Sequence, residues 1–222
     1  MPLFDALDFL CDEQPHPAAL NMAIDEVLLK EISVPTLRVY RWLHPAASFG
    51  CFEKYSIVAS AHPGRELVRR WTGGGVVLHG DDFTYSLIVP AAGIPSGIIN
   101  PQKSYLDIHE ALVRGMQAAG IAASLAGGTA SKVSNACFEN AVCHDVMLGD
   151  RKIAGAAQRR TRAGLLHQGS IQLAGLPEDF GETFAAILTT EVSRRVLPLG
   201  ELPVALALAE SKYASESWMR KF

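Results

Sequence analysis

The sequence predicts an α+β fold, a single domain over residues 1–222 with a mixed, largely antiparallel sheet flanked by helices. Three observations carry that prediction. Short β-branched or aromatic runs follow one another instead of alternating with helices, which argues against a doubly wound arrangement. Longer stretches place apolar residues at helical spacing. Hydrophobic residues make up 49% of the chain and the net charge is only −3, a composition that excludes disorder, and a chain of 222 residues buries about 70% of its unfolded surface without a disulfide or metal staple.

The elements follow in order. Pro17 stands where a helix favours a first-turn proline, and Met22, Ala23, Val27 and Leu28 keep helical spacing up to the Ser33-Val34-Pro35 break. Leu37, Val39 and Tyr40 have strand composition, and strand-like runs recur near Ile57-Val58, Leu67-Val68, Val76-Val77 and Tyr85 to Val89, with Gly and Pro between them. A second helix is predicted from Ser104, read as its N-cap, with Tyr105, Ile108, Leu112 and Met116 on one face and Gly120 as its stop. Strands resume near Ile121. Residues 145–148 and 151–153 flank Gly149-Asp150, a turn pair that tolerates positive φ, so they read as a hairpin. Leu165 to Leu173 continues the sheet, Phe180 to Leu188 is helical after Pro177, and an Ala/Leu-rich stretch from Val204 precedes a short helix around Trp218.

Composition also bounds the partners. With 20 Lys+Arg against 23 Asp+Glu there is no basic excess, so no nucleic-acid partner is expected. No apolar run approaches the roughly 20 residues of a membrane span, and the start MPLFDALDFLCDEQ is acidic, unlike a secretory signal, so no membrane partner and a cytoplasmic location are expected. The four cysteines, Cys11, Cys51, Cys137 and Cys143, show no CxxC spacing, and with His144 and His167 they match no zinc-site pattern, so no metal is assigned. Cys11 and Cys51 read as core thiols. Cys143 and His144 are adjacent, and on a strand they face opposite sides, a poor nucleophile and base pair.

Two segments could carry chemistry. Arg69-Arg70-Trp71-Thr72-Gly73-Gly74-Gly75 leads through a strand to His79. Consecutive glycines let backbone N–H groups approach an anion or carbonyl, and both arginines could pair with that anion; a plain turn with solvated arginines is the alternative. Neither this run nor Gly127-Gly128-Thr129-Ala130-Ser131-Lys132, read as a mobile loop, is a Walker loop. The second segment runs from Cys137 through Lys152, Gly155, Ala157 and Gln158 to His167, Gly169 and Ser170. Lys152 precedes an Ala/Gly run, where a substrate could lie against a strand with little side-chain bulk.

On these residues the chain resembles the biotin/lipoate ligase superfamily, in the branch of lipoate-protein ligase A and the cysteine-dependent octanoyltransferases. Asn21 to Glu26 is similar to that family's opening helix and Leu37 to Trp42 to its first strand. Arg69-Arg70 with Thr72 to Gly75 and His79 resembles its ligand loop, and Lys152 with Gly155, Ala157 and Gln158 resembles its lysine motif. The resemblance implies a substrate site of Arg70, Gly73, Gly74, Gly75, His79, Gly155, Ala157, His167 and Gly169, with Lys152 on the acyl carbonyl. Cys137-Phe138, Asp82 to Ser86 and Leu166 to Ser170 look more like the octanoyltransferases, in which Cys137 would be the nucleophile and Cys143 the substitute. The triple glycine is closer to ligases; Gly80 stands where Asp is usual, and Ala141 and His144 where Pro and Tyr are common.

The leading expectation is transfer of an octanoyl or lipoyl group from acyl carrier protein to a lysine of a lipoyl carrier domain, with no cofactor. An ATP-dependent ligase, with ATP and Mg as cofactors, and a non-catalytic binder of acyl groups or lipoyl domains are the alternatives. The length suits a catalytic domain without a C-terminal accessory domain.

Overall fold

A computed structural model describes residues 1–94, 100–128, 142–197 and 200–222. In chain order the regular elements are β1 (Leu7–His16), α1 (Ala18–Glu31), β2 (Thr36–Trp42), β3 (Ala46–Phe49), α2 (Tyr55–Ala61), β4 (Glu66–Arg69), β5 (Val76–His79) and β6 (Phe83–Pro90). They continue with α3 (Pro101–Ala118), β7 (Ala123–Leu125), β8 (Val146–Leu148), β9 (Arg151–Arg160), β10 (Gly164–Ile171), α4 (Phe180–Leu188), β11 (Val192–Arg195), α5 (Glu201–Leu208) and α6 (Glu216–Met219). Among the described residues, eight strands form a sheet in the order β11-β1-β2-β6-β10-β9-β8-β7, and β4-β3-β5 form a second, smaller one. β1 runs parallel to β2 and β11, and the other pairs of the large sheet are antiparallel. The class is therefore α+β with mixed sheets, as the succession of strands predicts.

The large sheet has two apolar faces. On one, Met22, Val27 and Leu28 of α1 pack with Tyr40, Ile88, Leu166 and Ala205. On the other, Ile108, Leu112 and Met116 of α3 and Phe180 and Phe184 of α4 cover Leu37, Leu87 and Leu165. Alternate residues of β2, β6 and β10 thus feed opposite layers, as a period of two requires. Among the described residues, no helix is long and apolar enough to cross a membrane.

Several sequence-based assignments need correction. Ile57-Val58 belongs to helix α2, not to a strand; only Val58 of that helix is buried and Ile57 is 52% exposed. β propensity expresses fit to a pleated, half-buried surface, and among the described residues this segment pairs with no strand. Helix α3 starts earlier than Ser104: the Asn100 side chain accepts the Lys103 N–H and Pro101 follows the cap. Ser104 is buried one turn inside, while Gly120, at φ 78°, ends the helix as expected. β1, β3 and β11 are additional strands. The second half of β1, Asp12 to His16, is polar and mostly exposed, and β11 is exposed throughout, so neither carries a hydrophobic alternation.

One buried cation ties three elements together. Arg38 of β2 has no solvent exposure. Its guanidinium donates to Asp12 Oδ2 of β1 (2.7 Å), and to Asp25 Oδ1 (2.8 Å) and Asn21 Oδ1 (2.8 Å) of α1. The second Asp25 oxygen accepts from Ser86 Oγ (2.5 Å) and Gln168 Nε2 (2.8 Å). Replacing Arg38 by Leu strands two buried carboxylates, and urea unfolding is expected to show a loss of about 3–5 kcal/mol.

Candidate active site

The glycine loop between β4 and β5 is built from behind. A Cβ at Gly50 would lie 1.9 Å from Gly74 O, so only glycine lets β3 run under the loop. Gly74 itself has φ 84°, in the left-handed region. Arg70 Nη2 donates to Gly73 O (2.9 Å) and Gly75 O (2.8 Å), and its Nη1 donates to Ser48 Oγ (2.7 Å). Arg70 therefore shapes the loop by holding its carbonyls. Arg69 corrects the expectation of two arginines facing an anion. Its guanidinium donates to the carbonyls of Cys51, Glu53, Trp218 and Met219, anchoring α6 to the small sheet.

His79 lies in a directed chain of hydrogen bonds. Ser48 Oγ, which accepts from Arg70, sits 2.7 Å from His79 Nε2, and His79 Nδ1 sits 2.8 Å from Asp82 Oδ2. With Asp82 as acceptor, the network assigns a neutral imidazole protonated on Nδ1. Burial holds His79 below the ordinary histidine range in spite of Asp82. Burial pushes the Asp82 carboxyl up, but its contact with His79 and hydrogen bonds from His79, Ser170 and the Gly80 N–H outweigh it and lower it. The His79 ring stacks on Trp42 with centroids 4.0 Å apart.

These groups border a small apolar pocket of ≈ 30 Å³. Met22, Tyr40, Trp42 and Val77 give it hydrocarbon walls, and Arg70, Gly74, His79, Gly155, Ala157 and Gly169 of the expected set all line it. Gly73 and Gly75 are held beside it through Arg70. Gly169 contributes backbone only, since a Cβ there would lie 2.2 Å from the Tyr85 ring. His167 corrects the expected set. It pairs with Leu87 and Gln158 across the strands and shares the opposite face of the sheet, with Tyr85 and His109.

Lys152 reaches the pocket side through a bulge. Val146 pairs with Ala154 but Met147 with Lys152, so Ile153 and Ala154 both enter the core, and Lys152 falls on the same side as Gly155. A Cβ at Gly155 would lie 2.7 Å from Lys152 Cε, so the glycine of this motif makes room for the lysine side chain. Lys152 is 7% exposed, and its Nζ is 2.8 Å from Oδ2 of the fully buried Asp145. The Val142 N–H also donates to Asp145 Oδ2 (2.7 Å), and the Tyr105 hydroxyl donates to Oδ1 (2.5 Å). Asp145, Tyr105, Ser48 and Gln168 were not among the expected site residues. Two of them left a signal: Asp145 flanks a hairpin whose return strand carries Lys152, and Gln168 stands within the Leu166 to Ser170 motif.

Cys137 lies outside the described residues, as do Thr129 to Lys132 and Ala141. Cys51 is buried as expected, whereas Cys11 is exposed. Cys143 and His144 occupy a turn, with His144 at φ 71°, and the Cys143 Sγ lies 3.4 Å from His144 Nε2, so the opposite-face expectation for a strand does not hold. Among the described residues, no three His, Cys, Asp or Glu side chains group so as to hold a metal ion.

The architecture is that of a lipoate ligase catalytic domain. A lipoate protein ligase from T. acidophilum, solved with bound lipoic acid, superposes with a TM-score of 0.76 at 20% identity, covering 99% of this chain and 100% of that one. The bi-partite lipoate protein ligase of Thermoplasma acidophilum, studied with its E2 lipoyl domain, gives a TM-score of 0.69 at 19% identity, covering 99% and 98%. The chain belongs to the lipoyl protein ligase A/B catalytic domain family, whose model matches residues 17–205. Its relatives include Octanoyltransferase LipM of Oceanobacillus iheyensis, 39% identical over 73% of this chain and 62% of the relative. The Octanoyltransferase LipM of Symbiobacterium thermophilum is 35% identical over 74% and 64%, and that of Exiguobacterium sibiricum 33% identical over 84% and 71%. The chain thus spans 62% and 64% of the length of the first two.

Two outcomes are expected. Gly155→Ala forces Lys152 aside and lowers stability by about 1–3 kcal/mol in urea unfolding, whereas Gly80→Ala, where a Cβ meets nothing within 4 Å, leaves stability unchanged. The second concerns acid. Burial lowers His109 to about 4, and burial with the His109 charge holds His167 well below 6.5. The unfolded chain protonates both as pH falls below about 6.5, while in the native chain His109 does so only at about pH 4 and His167 is likewise held below its ordinary range. Stability is therefore full above that window and falls through it, by up to about 2.7 kcal/mol per pH unit for two protons. Denaturant unfolding between pH 7 and 4.5 measures this slope, and His109→Asn is expected to halve it.

Proposed function

We propose that this chain is an octanoyltransferase, moving an octanoyl or lipoyl group from the thioester of an acyl carrier protein to a lysine of a lipoyl carrier domain. The observation that carries the reading is a buried lysine, paired with Asp145, beside an apolar pocket. Membership of the family and the octanoyltransferase relatives support it. A hydrocarbon chain gains free energy by leaving water for such walls, about 0.8 kcal/mol per methylene. The carbonyl end must then lie where positive charge can meet a developing oxyanion, and Lys152 supplies it.

Cys137 enters from the sequence alone, as the nucleophile. Its thiolate adds to the thioester carbonyl, the carbonyl re-forms as the C–S bond to the carrier breaks, and the carrier thiolate leaves and takes a proton. The acceptor lysine amine then attacks the acyl-cysteine. An amide C–N bond forms, the Cys137 C–S bond breaks, and the proton lost by the amine restores the thiol. The balance is a thioester and an amine giving an amide and a thiol, with no ATP, metal or oxidant consumed. A thiol of ordinary pKa is only about 3% thiolate at pH 7, so a nearby ammonium assists the first step. His79 is neutral and held on both nitrogens, which suits a wall of the pocket better than a base. The setting is the cytoplasm, where acyl carrier and lipoyl domains meet.

The test compares two donors with a lipoyl domain as acceptor: octanoyl-acyl carrier protein, and free octanoate or lipoate with ATP and Mg. Transfer is expected from the carrier donor, with an acyl adduct on Cys137 in intact mass spectra and no product from Cys137→Ala. Full activity of Cys137→Ala with that donor sinks the acyl-cysteine route. Pyrophosphate release from the free acid, indifferent to Cys137→Ala, would mark an ATP-dependent ligase. Binding without product in either assay would mark a non-catalytic binder.

A further inference from the structure

We propose that Tyr105 is a positioning residue for Lys152, acting through Asp145. The inference deepens the acyl-transfer reading and rests on it only for its kinetic consequence.

Strand β8 begins at Val146, so among the described residues β9 beyond Ala154 has no strand on that side. Helix α3 covers this edge with Tyr105, whose hydroxyl accepts the Ala156 N–H at 3.1 Å and donates to Asp145 Oδ1 at 2.5 Å. The other carboxylate oxygen faces Lys152 Nζ at 2.8 Å and the Val142 N–H at 2.7 Å. One hydroxyl therefore fixes the counter-ion of the lysine relative to the backbone of the pocket wall, since Ala156 lines the pocket. A carboxylate held at both oxygens cannot rotate about its Cβ–Cγ bond, and Lys152 is then held at one point over Gly155.

The hydroxyl is built to donate. Burial, then the Asp145 charge, push the Tyr105 phenol above its ordinary range, so it keeps its proton. The ring is packed independently, with its centroid 4.1 Å from that of His109 and 5.8 Å from that of His167. Removing the hydroxyl alone leaves this packing in place, frees Asp145 Oδ1 and lets the carboxylate turn from Lys152.

The test uses Tyr105→Phe in the full chain. Competitive labelling with acetic anhydride, read by peptide mass spectrometry against Lys30, Lys54 and Lys221 as internal standards, is expected to show Lys152 at least about threefold more reactive than in the wild type, as a loosened ion pair requires. In the transfer assay kcat is expected to fall about tenfold, the loss of one hydrogen bond to a charged group, with the KM for the lipoyl domain within twofold. In an Asp145→Asn background the same substitution should change neither quantity further, because Tyr105 then has no carboxylate to hold. Unchanged Lys152 labelling in Tyr105→Phe overturns the proposal, whatever the transfer assay gives. Raised labelling in a protein whose wild type transfers no acyl group supports the positioning and removes the acyl-transfer reading instead. Should Asp145→Asn not fold, the Tyr105→Phe labelling decides alone.

Discussion

A guanidinium with no access to water must find acceptors for its donors within the protein, and Arg38 finds them on two carboxylates and an amide from β1 and α1. The consequences spread outward. The fully buried Asp25 carboxylate is met by Arg38, Ser86 and Gln168. Gln168 is thereby oriented so that its Oε1 accepts the Thr72 hydroxyl at 2.8 Å, at the entrance of the glycine loop. A line of hydrogen bonds thus runs from the polar half of the first strand to the loop that borders the pocket. The apolar packing of α1 supplies most of the burial energy, but this line decides how the helix, the sheet and the loop are registered.

The pocket and the lysine depend on a second constraint, the freeing of one strand edge. β9 pairs along its length with β10 but only briefly with β8. Where β8 stops, the N–H and C=O groups of β9 need partners, and such groups are not left bare inside a protein. Tyr105 meets one of them, and Asp145 lies alongside. The bulge at Ile153 turns Lys152 to the pocket side, and the missing side chain at Gly155 leaves it a seat. The polar groups around Lys152 are therefore gathered at the free edge of β9, beside the apolar pocket.

Much of this was legible in the residues. Helices α1 and α4, strands β2, β5, β6 and β10 and the 149–150 hairpin each follow from local periodicity or turn chemistry, which act over a few residues. The glycine loop, His79, Gly155 and Ala157 stood out by composition and by family likeness, and they do border one pocket. β1, β3 and β11 were not legible, because they are strands by virtue of their neighbours: Ala46 to Phe49 is a short run that becomes a strand between β4 and β5. Ile57-Val58 shows the reverse, β-branched residues that lie in a helix, with Val58 packed on the small sheet.

By itself the sequence determined the class of fold, the family and the identity of the groups able to do chemistry, since these depend on residue type and short spacing. Which of those groups meet was decided by the tertiary structure alone. Nothing in the order of residues says that Arg70 holds the glycine loop while Arg69 anchors the C-terminal helix, or that His167 lies across the sheet from His79. Still less does it say that Tyr105, from a helix on the far face, reaches the counter-ion of Lys152. Sequence patterns report the face on which a side chain lies, whereas contact between residues far apart in the chain depends on sheet order, strand ends and bulges, and these are set only when the whole sheet assembles.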